Sequence, residues 1–290
     1  MNHVEAAIAE RVAQLYPDVF AALAEFADRY ADFIEETVTR FDREVQFYLA
    51  WLEFTARLRS AGLPVCYPQI HTGAGHLEAV DAFDAALADK LLGQGEQVIT
   101  NDVTLTGSER VLVVTGPNQG GKTTYARTVG QLHYLASLGL PVPGRRARLP
   151  LPDRIFTHFE RGENLHDLTG KLEDDLTRIR DILTAATENS LLIINEIFTS
   201  TSPQDASLLA TRVLHQVIGL GCACVCVTFL DELSTLDPAT VSMTSTVIPG
   251  SSGTRTFRVV RRAADGRAYA DAIADKYGLT TQALARRLTP

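Results

Sequence analysis

One stretch constrains this chain more than any other. Arg110 to Thr124 reads RVLVVTGPNQGGKTT. The apolar run Val111–Val114 suits a parallel strand buried on both faces. The spacing Gly116, Gly121, Lys122, Thr123 then fits a phosphate-binding loop, G-x-x-x-x-G-K-[ST]. Glycines at 116, 120 and 121 let the backbone turn its N–H groups toward phosphate oxygens. Lys122 supplies a point charge for the terminal phosphates, and the Thr123 hydroxyl is suited to Mg²⁺. A helix is expected from Tyr125 to Leu138, with its positive end aimed at the same anion. A glycine-rich turn can match by chance. The strand before the loop and the helical segment after it argue against chance here.

A chain of 290 residues gives one or two domains and enough length for a large core. Apolar residues make up 46% and charged residues 21%, the balance of a soluble globular protein. No apolar run reaches the ~20 residues needed to cross a bilayer. The start, MNHVEAAIAE, lacks the basic and apolar regions of a signal peptide. A cytoplasmic location is therefore expected, with no membrane partner. The net charge of −8 excludes a wholly electrostatic DNA binder. Any nucleic-acid contact would need a local patch, such as Arg145, Arg146 and Arg148, or Arg258, Arg261, Arg262 and Arg267. Solvated surface arginines are the plainer reading of both. Cys222, Cys224 and Cys226 alternate and would share one face of a strand. No histidine follows at ligand spacing, so small buried apolar residues are preferred over a metal site.

Residues 1 to about 60 are expected to be helical. Val12, Leu15, Val19, Leu23 and Phe26, then Phe33, Val38, Phe41, Val45 and Leu49, recur at three- and four-residue steps. Asp18 is a candidate cap after Pro17. So much apolar surface needs a partner, in the rest of the chain or in a second subunit. Phe33-Ile34-Glu35 matches a Phe-x-Glu tripeptide of mismatch readers, but chance on a helix surface explains it better.

From Gly62 to Thr106 prolines and glycines cut the chain into short pieces. Short strands are expected at Val98–Ile99 and at Val103–Leu105. GLPVPGRRARLPLPD reads as a proline-rich loop. A strand is expected at Arg154–Phe159, a loop at Gly162–Leu168, and an amphipathic helix through Leu172, Leu176, Ile179, Ile182 and Leu183. LLIINE, Leu191 to Glu196, is a second apolar strand ending in polar groups, where phosphate-loop enzymes carry the Walker B acid. Glu196 is the candidate general base for water, and Asn195 occupies the Mg²⁺-linked position. A helix capped by Ser202, with Asp205 in its first turn, should run to Ile218. A third strand is expected at Val225–Phe229 and a strand pair at Val241–Ile248 and Thr254–Val260, turning at PGSSG. Helices at Arg267–Tyr277 and Thr281–Leu288 would close the chain.

These motifs agree in order with one family. Gly116-Pro117-Asn118-Gln119-Gly120-Gly121-Lys122-Thr123-Thr124 resembles the TGPN-x-GGK-[ST]-T loop of the MutS mismatch-repair family. Pro117 and Asn118 make the match far more specific than a bare phosphate loop. LGLPVP, Arg154-Ile155-Phe156-Thr157, Asn195-Glu196-Ile197 with Ser200 to Asp205, Thr228 with Glu232-Leu233, and the closing Asp265-Gly266, Tyr269 and Tyr277-Gly278-Leu279 are similar to further family stretches in order. The likeness covers about residues 62 to 290.

The resemblance implies an α/β fold, an ABC-type phosphate-loop ATPase with a mixed or parallel sheet flanked by helices. Residues 61–290 would form it, and residues 1–60 resemble the end of the family's lever domain. It implies ATP with Mg²⁺ held by Gly116 to Thr124 and by Thr123 and Asn195. Glu196 and Lys122 would be catalytic. It further implies a homodimer that sandwiches each nucleotide, with partner signals near Gly170 to Asp175 and Ser200 to Asp205. The expected activity is DNA-dependent ATP hydrolysis on mismatched or distorted DNA, in mismatch repair or recombination. The recognition, connector and clamp regions have no counterpart, so a shortened member or a fragment is expected.

Three departures qualify that expectation. Asn195 stands for the Walker B aspartate, Phe229 for a histidine, and Gly170 for the serine that a partner aims at the nucleotide. They favour an alternative, an ATP-gated dimerisation module with little or no turnover. An ATPase of another machine, such as a transporter, is weaker, because LTGKLEDD replaces an LSGGQ-like stretch.

Overall fold

The computed structural model describes residues 2–72, 76–159, 170–248 and 255–264. The expected loop at 162–168, the turn at 249–253, the closing helices and the closing motif at Asp265 to Leu279 lie outside them. The chain divides into two compact units, residues 1–54 and 55–290. Among the described residues no helix is long and apolar enough to cross a membrane.

The first unit holds α1 (His3–Leu15), α2 (Pro17–Arg29) and most of α3 (Glu36–Ser60). Asn2 opens α1 with a reciprocal capping box: its Oδ1 accepts from Val4 and Glu5 N–H, and Glu5 Oε2 accepts from Asn2 N–H. Pro17 is itself the first residue of α2, and Tyr16 takes the cap position. Asp18 therefore sits in the first turn, favoured by the helix dipole, rather than acting as the cap. No residue of α1 or α2 is buried.

The second unit is α/β. Its main sheet has the order β12-β11-β5-β10-β9-β8. The strands are β5 (Val111–Thr115), β8 (Ile155–His158), β9 (Leu191–Asn195), β10 (Ala223–Val227), β11 (Thr240–Val247) and β12 (Arg255–Arg261). Five run parallel, and β12 pairs antiparallel with β11 at one edge. A four-stranded sheet of order β2-β7-β3-β4 lies in the same unit. It contains β2 (Gln69–His71), β3 (His76–Ala82), β4 (Asn101–Thr106) and β7 (Arg146–Pro150). A short pair joins β1 (Val65–Cys66) to β6 (Val142–Pro143).

The unbroken apolar runs of β5, β9 and β10 are explained by burial on both faces. On one face Val111, Val113, Leu192, Ile194, Cys224 and Cys226 pack on α7 (Pro203–Leu220) and on Ile179 of α6 (Lys171–Ala185). On the other, α5 (Lys122–Ser137) lies against β9 and β10. Gly130 permits that approach, because a Cβ there would sit 2.6 Å from Ile193 Cδ1. The cysteines are thus core residues, and burial pushes the Cys226 thiol up to about 12. Among the described residues no His, Cys, Asp and Glu group is arranged to hold a metal.

The structure corrects the expectations between residues 62 and 153. Only Val103–Leu105 lies in a strand; Val98 and Ile99 line a cavity beside α4 (Ala85–Gly93). The proline-rich stretch is no loop throughout. Its alternating RARLP forms β7, with Ala147 and Leu149 buried. Pro150 closes that strand, a position where a missing N–H costs little. Arg145 and Arg146 are ion-paired with Asp81 and Glu78, so they do not form an open basic patch.

Close packing reaches the loop after β5. A Cβ on Gly120 would lie 2.4 Å from Ser245 Oγ of β11 and 2.9 Å from the Pro117 carbonyl. Gly120→Ala should lower stability by about 1–3 kcal/mol by overpacking. Adding Ser245→Ala should recover part of that loss in denaturant unfolding, and no recovery would refute the contact.

His133 gives a second test. Its Nδ1–H donates to the Val129 carbonyl at 2.9 Å, and its Nε2 is buried without a partner. Burial pushes its pKa down from 6.5 to about 4. Between those values the unfolded chain binds the proton and the folded one does not. Stability should therefore fall as pH drops through this window, by up to about 3 kcal/mol. Urea midpoints at pH 7 and 4.5 should show a smaller acid loss in His133→Leu than in the parent.

Candidate functional site

The sequence-predicted residues converge at the carboxyl ends of the parallel strands, where open α/β sheets place ligands. β5 ends at Thr115, and the glycine loop carries the chain from there into α5. Gly116 has φ +111°, Gln119 +58° and Gly121 +91°. The left-handed turns at Gly116 and Gly121 are cheap only for glycine. At Gly116 a side chain would also meet Ser245, whose backbone oxygen would be 2.9 Å from its Cβ.

Lys122 is only 4% exposed. Its Nζ donates to the Gly116 carbonyl at 2.8 Å and the Pro117 carbonyl at 3.2 Å, and lies 3.5 Å from Asn118 Oδ1. The same ammonium sits 4.4 Å from the centroid of the Phe229 ring. Burial pulls its pKa below the ordinary lysine value; Glu196 and Asp231 oppose that shift, and Arg255 adds to it.

Thr123 Oγ1 donates to Asn195 Oδ1 at 2.9 Å, joining the start of α5 to the end of β9. This pair could hold a hard cation through oxygen donors, although Asn195 brings no negative charge. Glu196 follows at φ +56°, with its N–H bonded to the Val227 carbonyl of β10. Strain of that kind persists where the surroundings fix it, and it concentrates here. Of the described non-glycine residues with positive φ, Gln119, Glu196 and Phe257 all line one cavity.

That cavity, of about 230 Å³, is bordered by Asn118, Gln119, Gly121, Lys122, Thr123, Thr124 and Glu196. Leu87 and Phe257 complete it, and both also line a neighbouring cavity of about 250 Å³. The second cavity contains Phe83, Leu91, Val98, Ile99 and Tyr125 together with Asn101 and Thr128. Gly116, Pro117 and Gly120 are loop residues that do not line the cavity; Gly116 and Gly120 face Ser245 instead. Gly170 is the residue preceding α6, and Ser202 caps α7 by accepting from Asp205 N–H.

Two contributors were not foreseen in the sequence. Asn101 ties β12 in place: its Nδ2 donates to the Phe257 carbonyl at 3.1 Å and its Oδ1 accepts from Val259 N–H at 2.7 Å. Phe257 lines the cavity and has a positive φ of 57°. No local pattern marks either residue, since they meet across more than 150 positions of sequence.

The pattern described as MutS domain V matches residues 112–287. A DNA mismatch repair protein MutS from Chlorobium phaeovibrioides is 28% identical over 96% of this chain and 31% of its own length. The MutS of an Exiguobacterium species is 30% identical over 81% of this chain and 27% of its own. The DNA mismatch repair protein Msh3 of Mus musculus is 33% identical over 46% of the chain and 12% of its own. The chain thus spans less than a third of the length of these relatives. With a family match over more than half of its residues, it belongs to the MutS family.

Proposed function

We propose that residues 61–290 form an ABC-type, phosphate-loop ATPase domain that binds ATP with Mg²⁺ and hydrolyses it. The convergence of Lys122, Thr123 and Glu196 on one cavity beside a left-handed glycine loop, with Asn195 bonded to Thr123 at its edge, carries this reading. The residues fit the ligand. The loop backbone from Gly116 to Thr124 presents N–H groups, and α5 adds the positive end of its dipole. The neighbouring cavity suits a base, with apolar walls at Phe83, Leu91, Val98 and Ile99 and polar groups at Asp84, Glu96, Gln97, Asn101 and Thr128. Thr123 and Asn195 would hold Mg²⁺, which supplies charge neutralisation on the phosphates.

Lys122 must leave the Gly116 and Pro117 carbonyls to meet a phosphate, a trade that replaces neutral acceptors by a charged one. Glu196 takes the proton of the attacking water. Phe229 has no hydrogen-bonding group for a phosphate or a water, so the cation–π contact it makes with Lys122 opposes that departure. The names of the relatives support a role in DNA mismatch repair; action as a homodimer on distorted DNA belongs to the same proposal. The residues 1–60 would act as the family's lever remnant.

The neutral Asn195 and the Phe229 contact favour a second reading, slow turnover with ATP acting as a dimerisation switch. Turnover and nucleotide binding, measured with and without mismatched duplex, separate the two. Lys122→Ala should abolish tight ATP binding. Glu196→Gln should leave binding intact and lower turnover by about a hundredfold; unchanged turnover would remove Glu196 from the role of base. Asn195→Asp should raise turnover, and no rise would count against the argument from charge.

A further inference from the structure

We propose that the first helical unit, residues 1–54, is a docking face for a second copy of this chain, and that the two copies bury one periodic apolar stripe of α1, α2 and α3 against each other. This contact is separate from the nucleotide site, and it requires no nucleotide.

From Val4 the apolar positions step by 4, 4 and 3 residues to Leu15, and by the same steps again to Phe26. Such an 11-residue repeat, about 3.67 residues per turn, is close to the natural helix period, so the stripe stays nearly in line with a straight helix. It keeps step through the junction at Tyr16, where helical bonding persists. Tyr16 N–H donates to the Val12 carbonyl, and Phe20 N–H donates to the Tyr16 carbonyl. Val38, Phe41, Val45 and Leu49 continue the pattern on α3. No charged residue occupies a stripe position, and at about 100° per residue Glu10, Glu25 and Asp28 fall on the far faces of α1 and α2. The seam therefore has no charge for a basic partner to pair with. A second uncharged seam fits it without burying an unpaired ion.

The unit has no core of its own. Of its described residues, 2–54, none is buried, and the buried residues of α3, Thr55 and Leu58, belong to the second unit. Ile8, Leu15, Leu23, Phe26, Val38 and Phe41 are each more than half exposed. Phe26 and Tyr30 pack on each other with ring centres 4.6 Å apart, a preformed aromatic anchor of the kind that dominates interfaces. The stripe exposes on the order of 1,000 Å², above the roughly 300–600 Å² of a monomer's largest apolar patch and enough for the roughly 800 Å² that each partner buries in a standard interface. Isolated helices of 13 residues are marginal in water, so α1 and α2 need that burial to persist. A two-fold pair supplies it, because each copy offers the other the same patch.

The test is sedimentation equilibrium of the full chain, without nucleotide, over a range of concentrations. A reversible dimer is expected. It should tighten as salt rises, because screening relieves the repulsion between two units that each hold 11 Asp and Glu against 4 Lys and Arg in residues 1–54. Leu23→Ala with Phe26→Ala retains a strong helix former and should weaken the dimer by about a hundredfold or more, since each side chain is lost twice in a symmetric pair. Leu23→Asp should dissociate it, whereas Ala21→Asp, which puts the same residue on the far face of α2, should not. A chain that is monomeric at every concentration, a dimer that forms only with ATP and Mg²⁺, or one that weakens with salt would overturn the proposal. So would a dimer untouched by Leu23→Asp or broken equally by Ala21→Asp. A dimer that behaves as expected in a chain that binds no ATP leaves this proposal standing while the nucleotide reading falls.

Discussion

A buried ammonium is the constraint around which this site is arranged. Taking Lys122 out of water is costly unless oxygen acceptors replace the solvent. The glycine loop does so with two backbone carbonyls and one amide oxygen, and that arrangement demands the left-handed turns at Gly116 and Gly121. Those turns in turn demand residues without side chains, since both have a left-handed φ and Ser245 also fills the space behind Gly116. Loop sequence, strand order and the packing of β11 are therefore one requirement seen at three scales.

The contact between Lys122 and Phe229 changes the balance between an empty and a filled loop. A ring face attracts an ammonium without giving it a hydrogen bond. It therefore favours the conformation in which the lysine is turned back on its own loop. Asn195 acts in the same direction, since it satisfies the Thr123 hydroxyl and attracts no cation through charge. Asn195 and Phe229 thus act together physically, although one ends β9 and the other follows β10.

Much of the main sheet was legible because its strands are buried on both faces. Val111–Val114 and Leu191–Ile194 are too apolar to sit anywhere else, and the strand expected at Val225–Phe229 lies at Ala223–Val227, ending before Thr228 and Phe229. The cap at Ser202 was equally plain, since side chain and first turn are adjacent in sequence. The four-stranded sheet was not legible. β3 breaks its alternation at Ala79-Val80, and β7, although alternating, is short and set among prolines. The same limit applies to the site. Its loop, its hydroxyl and its acid follow one another in recognisable spacing, whereas Phe257, Arg255 and Asn101 are brought there by sheet closure alone.

The missing side chain at Gly130 has a mechanical consequence. It seats α5 directly on Ile193, two residues before Asn195 and three before Glu196. Lys122 and Thr123 begin that same helix. The groups proposed to grip the nucleotide and those proposed to act on it are thus fastened to a common chassis. They cannot drift apart without unpacking a helix from a strand. The third wall, the edge strand β12, is held differently, by hydrogen bonds from Arg255 to the Asn118 carbonyl of the loop and from Asn101 of β4 to the Phe257 carbonyl.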